Sequence, residues 1–304
     1  MSHQGWMLPL FVPATRPDRF AKAAASGADA IILDLEDAVD PADKLTARTS
    51  LSAARGLGTD AIARINAAGT LWFEDDLIAV RDAEVAAVML AKAERAVDIA
   101  HVHAVTRRPV IALIETVAAL KELEAMATTT GVVQMAFGTM DMAAELGCTP
   151  SSPIMLPIRL QILVANVRAE LAQPLDGVSL VLNDAAILQS EAEEIAANGF
   201  GGRLLIHPVQ IEATAHGLAP SEDEVNLARR IVASSGAAVR VDGRMVDRPV
   251  RLHAERLLAR AERLAAAVTS RQIKQGESKC LTATCFKRPK LARGSCKTAS
   301  PWPQ

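Results

Sequence analysis

Residues 30–37 read AIILDLED: four apolar residues, then three carboxylates with Leu35 between them. A short apolar run that ends in acidic groups is what a parallel strand leaves when both faces are covered and its C-terminal end opens on a polar site. VIALIE at 110–115 repeats this pattern, and VVQMAFG at 132–138 and ARIN at 63–66 are short runs that likewise stop at a glycine or a polar residue. Working outward from these, the strand expectations are Met7–Val12, Ala30–Leu35, Ala61–Ile65, Ala86–Ala91, Val110–Ile114, Val132–Phe137, Gly177–Leu182 and Gly202–Ile206. The segments between them have room for the helix that each parallel crossover requires. Eight such units predict an α/β fold closed as a TIM (β/α)8 barrel. An open doubly wound sheet is the alternative, and no GxGxxG follows the first strand to favour it.

Beyond the eighth strand, Ser221–Ser234 and His253–Val268 have helical periodicity, with a hairpin-like stretch, VRVDGRMVDRP, between them. The barrel and this C-terminal helical extension together make one domain over 1–270. Residues 271–304 differ: eight Lys and Arg against one Glu, with neither helical nor strand periodicity, which predicts a disordered basic tail.

Composition narrows the function classes. The 304 residues are half apolar and 22% charged, with a formal net charge of −2, which gives no global reason to expect nucleic acid. The absence of tyrosine and the scarcity of other aromatics argue against a base-stacking surface. No apolar run reaches the roughly 18 residues of a membrane span, and the N-terminus lacks a basic segment leading into an apolar one, so the expectation is a cytoplasmic protein with no membrane partner. Three of the four cysteines (Cys280, Cys285, Cys296) sit in the tail, and with Cys148 they form no disulfide framework for the domain.

Chemistry in a (β/α)8 barrel gathers at the C-terminal ends of the strands. Nearly every expected strand ends in a polar group: Arg16 shortly after the first; Asp34, Glu36 and Asp37; Arg64 and Asn66; Lys92; Glu115; Gly138 and Asp141 in FGTMD; Asn183 and Asp184; His207. Glu115 and Asp141 offer oxygen ligands from adjacent strands, a donor set that suits Mg²⁺ with water and substrate oxygens completing the octahedron. No His–Cys cluster points to zinc. Arg16 and Arg64 offer planar forks for a carboxylate or thioester oxygen. Asp34 and Glu36 alternate along a strand and share a face, where an ion-pair network with Arg16, Arg64 or Lys92 competes with direct chemistry. Lys92 is expected to pair with an acid rather than form a Schiff base, and His207 is read as a turn residue. A phosphate site is the other use of such a ring, although no Walker-type loop is present.

The motifs LFVPATRPDRF, ILDLEDAV with KLTAR, ARIN, MLAKAE, ALIET, FGTMDM, LDGV, GRLLIHPVQI, PSEDEV and DGRMVDRPV occur in this order over residues 7–268. Together they resemble the citrate lyase β-subunit family of the HpcH/HpaI aldolase superfamily. The resemblance implies a Mg²⁺-dependent carbon–carbon lyase, commonly a homotrimer, acting on a 3-hydroxyacyl thioester such as citryl-, citramalyl- or malyl-CoA, with an acyl-carrier protein as the alternative carrier. It assigns Glu115 and Asp141 as metal ligands, Arg64 as a catalytic and substrate-contacting arginine, and Arg16, Glu36, Asp37 and Lys92 as substrate-side groups. Lys44 and Arg48 match the K-x-x-x-R that follows DLED. Asp247 in GRMVD matches an aspartate that reaches a neighbouring subunit's site, and is the candidate base. Two departures stand out: Ala91 where a proline is usual before Lys92, and LVLND at the expected end of strand seven. An aldolase for free 2-oxo-3-deoxy acids and a non-catalytic partner subunit are the other readings.

Overall fold

The apolar runs become strands because each can bury both faces, one inside a closed cylinder and the other beneath a helix. The computed structural model describes residues 5–234 and 239–265. Its eight-stranded parallel sheet follows chain order: β1 (Pro9–Pro13), β2 (Ala30–Asp34), β3 (Asp60–Ile65), β4 (Ala87–Leu90), β5 (Val110–Ile114), β6 (Val132–Phe137), β7 (Ala172–Asp176) and β8 (Gly202–Arg203). Helices α1 (Phe20–Ala24), α2 (Lys44–Ser50), α3 (Phe73–Asp82), α4 (Ala96–Thr106), α5 (Leu123–Ala127), α6 (Thr139–Leu146), α7 (Met155–Arg168), α8 (Ala185–Ala197) and α9 (Gln210–Leu218) cover the outside. The barrel closes where Arg203 N–H donates to the Met7 carbonyl at 2.8 Å and Phe11 N–H to the Leu205 carbonyl at 2.8 Å. Gly202 allows this approach, since a Cβ there would stand 2.1 Å from the Met7 oxygen.

Side-chain alternation divides the core into two layers. Ile32, Ile62, Met89, Ile111, Leu113, Ala136 and Leu175 fill the barrel interior, and Trp6 joins them from below. Ile31, Leu33, Ile65, Val88, Leu90, Ile114 and Met135 face outward into the helical shell. Trp6 is fixed by its indole N–H on Asp60 at 2.9 Å, by its main-chain N–H on Gln134 Oε1 at 3.0 Å and by Gln134 Nε2 donating to its carbonyl at 2.9 Å, which closes the end of the barrel opposite the strand C-termini.

Beyond the barrel, α10 (Glu222–Ala233) starts with a capping box between Ser221 and Glu224. The hairpin of β9 (Val239–Val241) and β10 (Arg244–Val246) turns at Asp242–Gly243, both with positive φ, as a two-residue turn of this hand requires. A helix over 248–265, α11, packs with α10 and the hairpin around Val246 and Ala254 in a small separate cluster. This is the C-terminal extension. The expected helix began at His253; it starts earlier, where Asp247 caps it through the Val250 N–H at 3.2 Å. The remainder of that expected helix and the basic tail at 271–304 lie outside the described residues.

One strand expectation is corrected. Strand seven is AQPLD at 172–176, and Gly177–Leu182 is a loop. GVSLVL has the better strand composition, but the neighbours decide. Asp176 pairs in register with Arg203, Leu175 with Gly202, and Gln134 with Ala172. The strand-end carboxylate is therefore Asp176. Asp184 instead caps α8, accepting from the Ala186 and Ile187 N–H groups at 3.0 and 3.1 Å. Among the described residues no helix is long and apolar enough to cross a membrane.

Candidate active site

The DLED turn after β2 is held from below before it does anything else. Lys44, 5% exposed, donates to the Leu35 and Glu36 carbonyls at 2.6 and 2.8 Å and to Asn66 Oδ1 at 2.8 Å. Asn66 in turn donates to the fully buried Asp76 at 2.6 Å, and Arg48 pairs with Asp76 at 2.8 Å. The K-x-x-x-R residues thus clamp the β2 and β3 ends rather than face a ligand. Asp76 is a member that the sequence reading missed; its only signal was an acidic residue on the buried face of α3.

Above this clamp lies a row of alternating charge. Arg64 grips Asp34 through Nε at 2.7 Å and Nη2 at 2.6 Å, stands 3.1 Å from Glu36 Oε2, and stacks on Phe11 with 4.7 Å to the ring centre. Lys92 Nζ donates to Glu36 Oε1, lies 3.6 Å from Asp37 and is 4.0 Å from Glu115 Oε1. The expected network of Asp34, Glu36, Arg64 and Lys92 is thus assembled. Burial raises the Glu36 carboxyl although Arg64 and Lys92 pull it down. Burial would also raise Asp37, but its hydrogen bond with Glu36 and the charges of Lys92 and Arg64 leave it lowered. Burial works against the charge on Lys92, and its hydrogen bond to Glu36 with the charge of Glu115 more than restores it, so its ammonium titrates above the usual range.

Glu115 stands at the end of β5, 2% exposed. Its Oε1 accepts the Lys92 main-chain N–H at 2.7 Å. Burial, with Asp141 and Glu36 adding to it and Lys92 and Arg64 opposing, pushes the carboxyl up to about 8. Asp141 lies in the first turn of α6, directly after Gly138. Glu115, Asp141 and Arg64 line one cavity of about 80 Å³ at the barrel mouth, with Phe11, Phe137 and Thr139. It shares Thr139, Met140 and Val178 with a larger cleft of about 470 Å³. That cleft contains a second buried pair the sequence reading missed, Arg159 on Asp176 at 3.1 Å, with the guanidinium over the Phe137 ring.

The donor chemistry fits a hard divalent cation. Glu115 Oε2 and the Asp141 carboxyl accept no hydrogen bond from the described residues, so two carboxyl groups face one cavity with oxygens unspent. Among the described residues no group of three or more His, Cys, Asp or Glu side chains is arranged to hold a metal ion by itself. The pair would leave the other coordination positions to water and substrate oxygens.

Five expected site residues do not line this cavity: Glu36 and Lys92 stand beside it in the charged row next to Glu115, and Arg16, Asp37 and Asp247 lie farther out. Arg16 pairs with Asp18 at 2.7 Å on the exposed β1–α1 turn. Asp37 sits at the exposed rim. Asp247 is exposed on the extension, where it caps α11. His207 accepts the Val209 N–H at 3.2 Å on its ring nitrogen, as a turn residue would.

Residues 8–208 match the family model described as HpcH/HpaI aldolase/citrate lyase. The chain belongs to the HpcH/HpaI aldolase/citrate lyase family. Within it, the chain is similar to the citrate lyase subunit beta-like protein of Mycobacterium tuberculosis, 40% identical over 268 residues, covering 84% of this chain and 95% of that one. It is also similar to a (3S)-malyl-CoA thioesterase of Cereibacter sphaeroides, 33% identical over 282 residues, covering 88% and 99%. The fold matches the crystal structure of CitE from M. tuberculosis in complex with magnesium, acetoacetate and coenzyme A. The TM-score is 0.75 at 37% identity, over 86% of this chain and all of that one. In this family member the mouth cavity with Glu115, Asp141 and Arg64 is therefore the candidate active site.

Proposed function

We propose that this chain is a Mg²⁺-dependent carbon–carbon lyase that cleaves a 3-hydroxyacyl-CoA thioester to a 2-oxo acid and an acetyl thioester, or runs the reverse condensation. The observation that carries the reading is the pairing of Glu115 and Asp141, with unspent oxygens, beside the fixed guanidinium of Arg64 in one cavity. Its support from relatives is the magnesium and coenzyme A named for CitE and the malyl-CoA named for the thioesterase.

Glu115 and Asp141 would hold Mg²⁺, which when bound supplies Lewis-acid polarisation of the hydroxy and carboxylate oxygens. A base takes the proton of the 3-hydroxyl. The carbon–carbon bond next to it breaks, its electron pair passes to the thioester as an enolate, and that carbon takes up a proton to give the acetyl thioester. Arg64 has its Nε and Nη2 committed to Asp34, so it acts as a fixed positive wall toward the enolate oxygen rather than as a swinging clamp. Citryl, citramalyl and malyl thioesters would yield oxaloacetate, pyruvate and glyoxylate respectively. The 470 Å³ cleft that adjoins the cavity has the room for a thioester arm.

Asp247 is assigned as the base in a homotrimer in which one protomer's extension covers its neighbour's cavity. Its exposure just after the hairpin, at the start of α11, and its place outside its own protomer's cavity lining favour this arrangement. A second reading, hydrolysis of the same thioesters, is favoured by the 33% identity to the malyl-CoA thioesterase. Product analysis separates them: lyase action gives acetyl-CoA and a 2-oxo acid, whereas hydrolysis gives free CoA and the intact hydroxy acid.

A further inference from the structure

Lys92 is one of four non-glycine residues with positive φ among the described residues, at φ 47°. A side chain makes this left-handed conformation costly, and it persists where surrounding contacts impose it. Here they do. The Ala91 N–H on one side donates to the Ile65 carbonyl at 3.3 Å, toward β3. The Ala93 N–H on the other donates to the Leu113 carbonyl at 3.1 Å, toward β5. Both alanines are fully buried. Between these two anchors the chain must turn out of the ladder at residue 92, and the turn aims the Lys92 N–H at Glu115 Oε1, 2.7 Å away.

The opposite side of the same carboxylate is bounded by Gly138, where a Cβ would stand 2.4 Å from Glu115 Cβ and 2.5 Å from Oε2. Oε1 is thus tied to a backbone amide, and Oε2 lies against the bare backbone of Gly138, which leads into the first turn of α6 and Asp141. The Lys92 ammonium has a separate task, since it is committed to Glu36.

We infer that Lys92 is a positioning residue whose left-handed backbone, rather than its ammonium, orients the Glu115 carboxylate toward the metal position. The inference rests on the reading of Glu115 as a metal ligand. The clean test compares variants of equal charge that differ in tolerance for positive φ. Lys92→Gly keeps the N–H and accepts the conformation freely, Lys92→Ala accepts it with strain, and Lys92→Val, being β-branched, resists it.

The readout is Mn²⁺ affinity, taken from the electron paramagnetic resonance signal of free Mn²⁺ in titrations of the full chain, with Glu115→Gln alongside. The expected order of affinity is Gly, then Ala, then Val, with Val weaker than Gly by about tenfold or more. Should Val unfold, shown by loss of its thermal transition in EDTA, the Gly-to-Ala step decides the matter. Equal affinities in the folded variants, with Glu115→Gln binding far more weakly, would overturn the backbone role alone. Unchanged affinity in Glu115→Gln would place the fault in the ligand assignment, and the positioning role would fall with it.

Discussion

Arg64 and Asp34 meet as a parallel fork, Nε to Oδ1 at 2.7 Å and Nη2 to Oδ2 at 2.6 Å, across neighbouring strands. Asp34 also accepts the Glu36 and Ala38 N–H groups at 2.9 and 3.2 Å, so one carboxylate fixes both the DLED turn and the guanidinium. Lysine cannot make that fork. Arg64→Lys is expected to lower kcat/KM by about 10²-fold through loss of a preorganised donor, with little change in metal affinity. Asp34→Ala removes the bidentate partner of a nearly buried guanidinium, which keeps only Glu36 at 3.1 Å, and should cost about 1–3 kcal/mol of stability, read by urea unfolding. A fully active Arg64→Lys would remove the arginine from the mechanism.

The paired ligands give the second prediction. Glu115→Ala or Asp141→Ala should each lower turnover by about 10³-fold, ~4 kcal/mol of transition-state stabilisation, and any residual activity should be indifferent to EDTA. Steady-state kinetics with and without chelator checks both halves. Wild-type activity in either variant would end the metal assignment.

A third prediction concerns pH. The Glu115 carboxyl titrates near 8 in the folded protein against 4.5 in the unfolded chain. Between those values the folded state holds a proton that the unfolded state has lost, so metal-free stability falls as pH rises through this window and levels off above it. The thermal midpoint in EDTA should therefore decline from pH 5.5 to 8.5 by more in wild type than in Glu115→Gln. A divalent cation needs the ionised form, so the midpoint gained on adding Mg²⁺ should be larger at pH 8 than at pH 6. Equal gains at both values would contradict the raised carboxyl.

The shared site gives the fourth. If Asp247 serves a neighbouring cavity, Glu115→Ala and Asp247→Ala proteins, each nearly inactive, should regain activity when their subunits are mixed and reassembled. Some of the mixed trimers then pair an intact cavity with an intact Asp247. No recovery, with mixed trimers confirmed by native mass spectrometry, would place the base elsewhere.

Most of the barrel was legible because short apolar runs such as AIILDL and VIALIE have few other places to go than a sheet covered on both faces. Ring residues at strand ends could be read for the same reason: Glu115 and Asp141 follow directly from where β5 and β6 stop. Strand seven was misplaced because AQPLD lacks strand composition and gains its place from the edges offered by Gln134 and Gly202, which no local reading sees. That shift also hid Asp176, and with it Arg159. The clamp on Asp76 and the left-handed turn at Lys92 depend on contacts between residues far apart in sequence or on one torsion angle. The separation of Arg16 and Asp247 from the cavity likewise follows from three-dimensional placement: Arg16 takes Asp18 two residues away, and Asp247 takes the start of α11.

Metal-dependent thioester cleavage is decided by mass-spectrometric product analysis of citryl-, citramalyl- and malyl-CoA incubated with the full chain, first with Mg²⁺ and then with EDTA. The expected products are acetyl-CoA and the matching 2-oxo acid from at least one thioester, abolished by EDTA and by Glu115→Ala. Free CoA with an intact hydroxy acid, or product formation that ignores both EDTA and the variant, would contradict a metal-dependent carbon–carbon lyase.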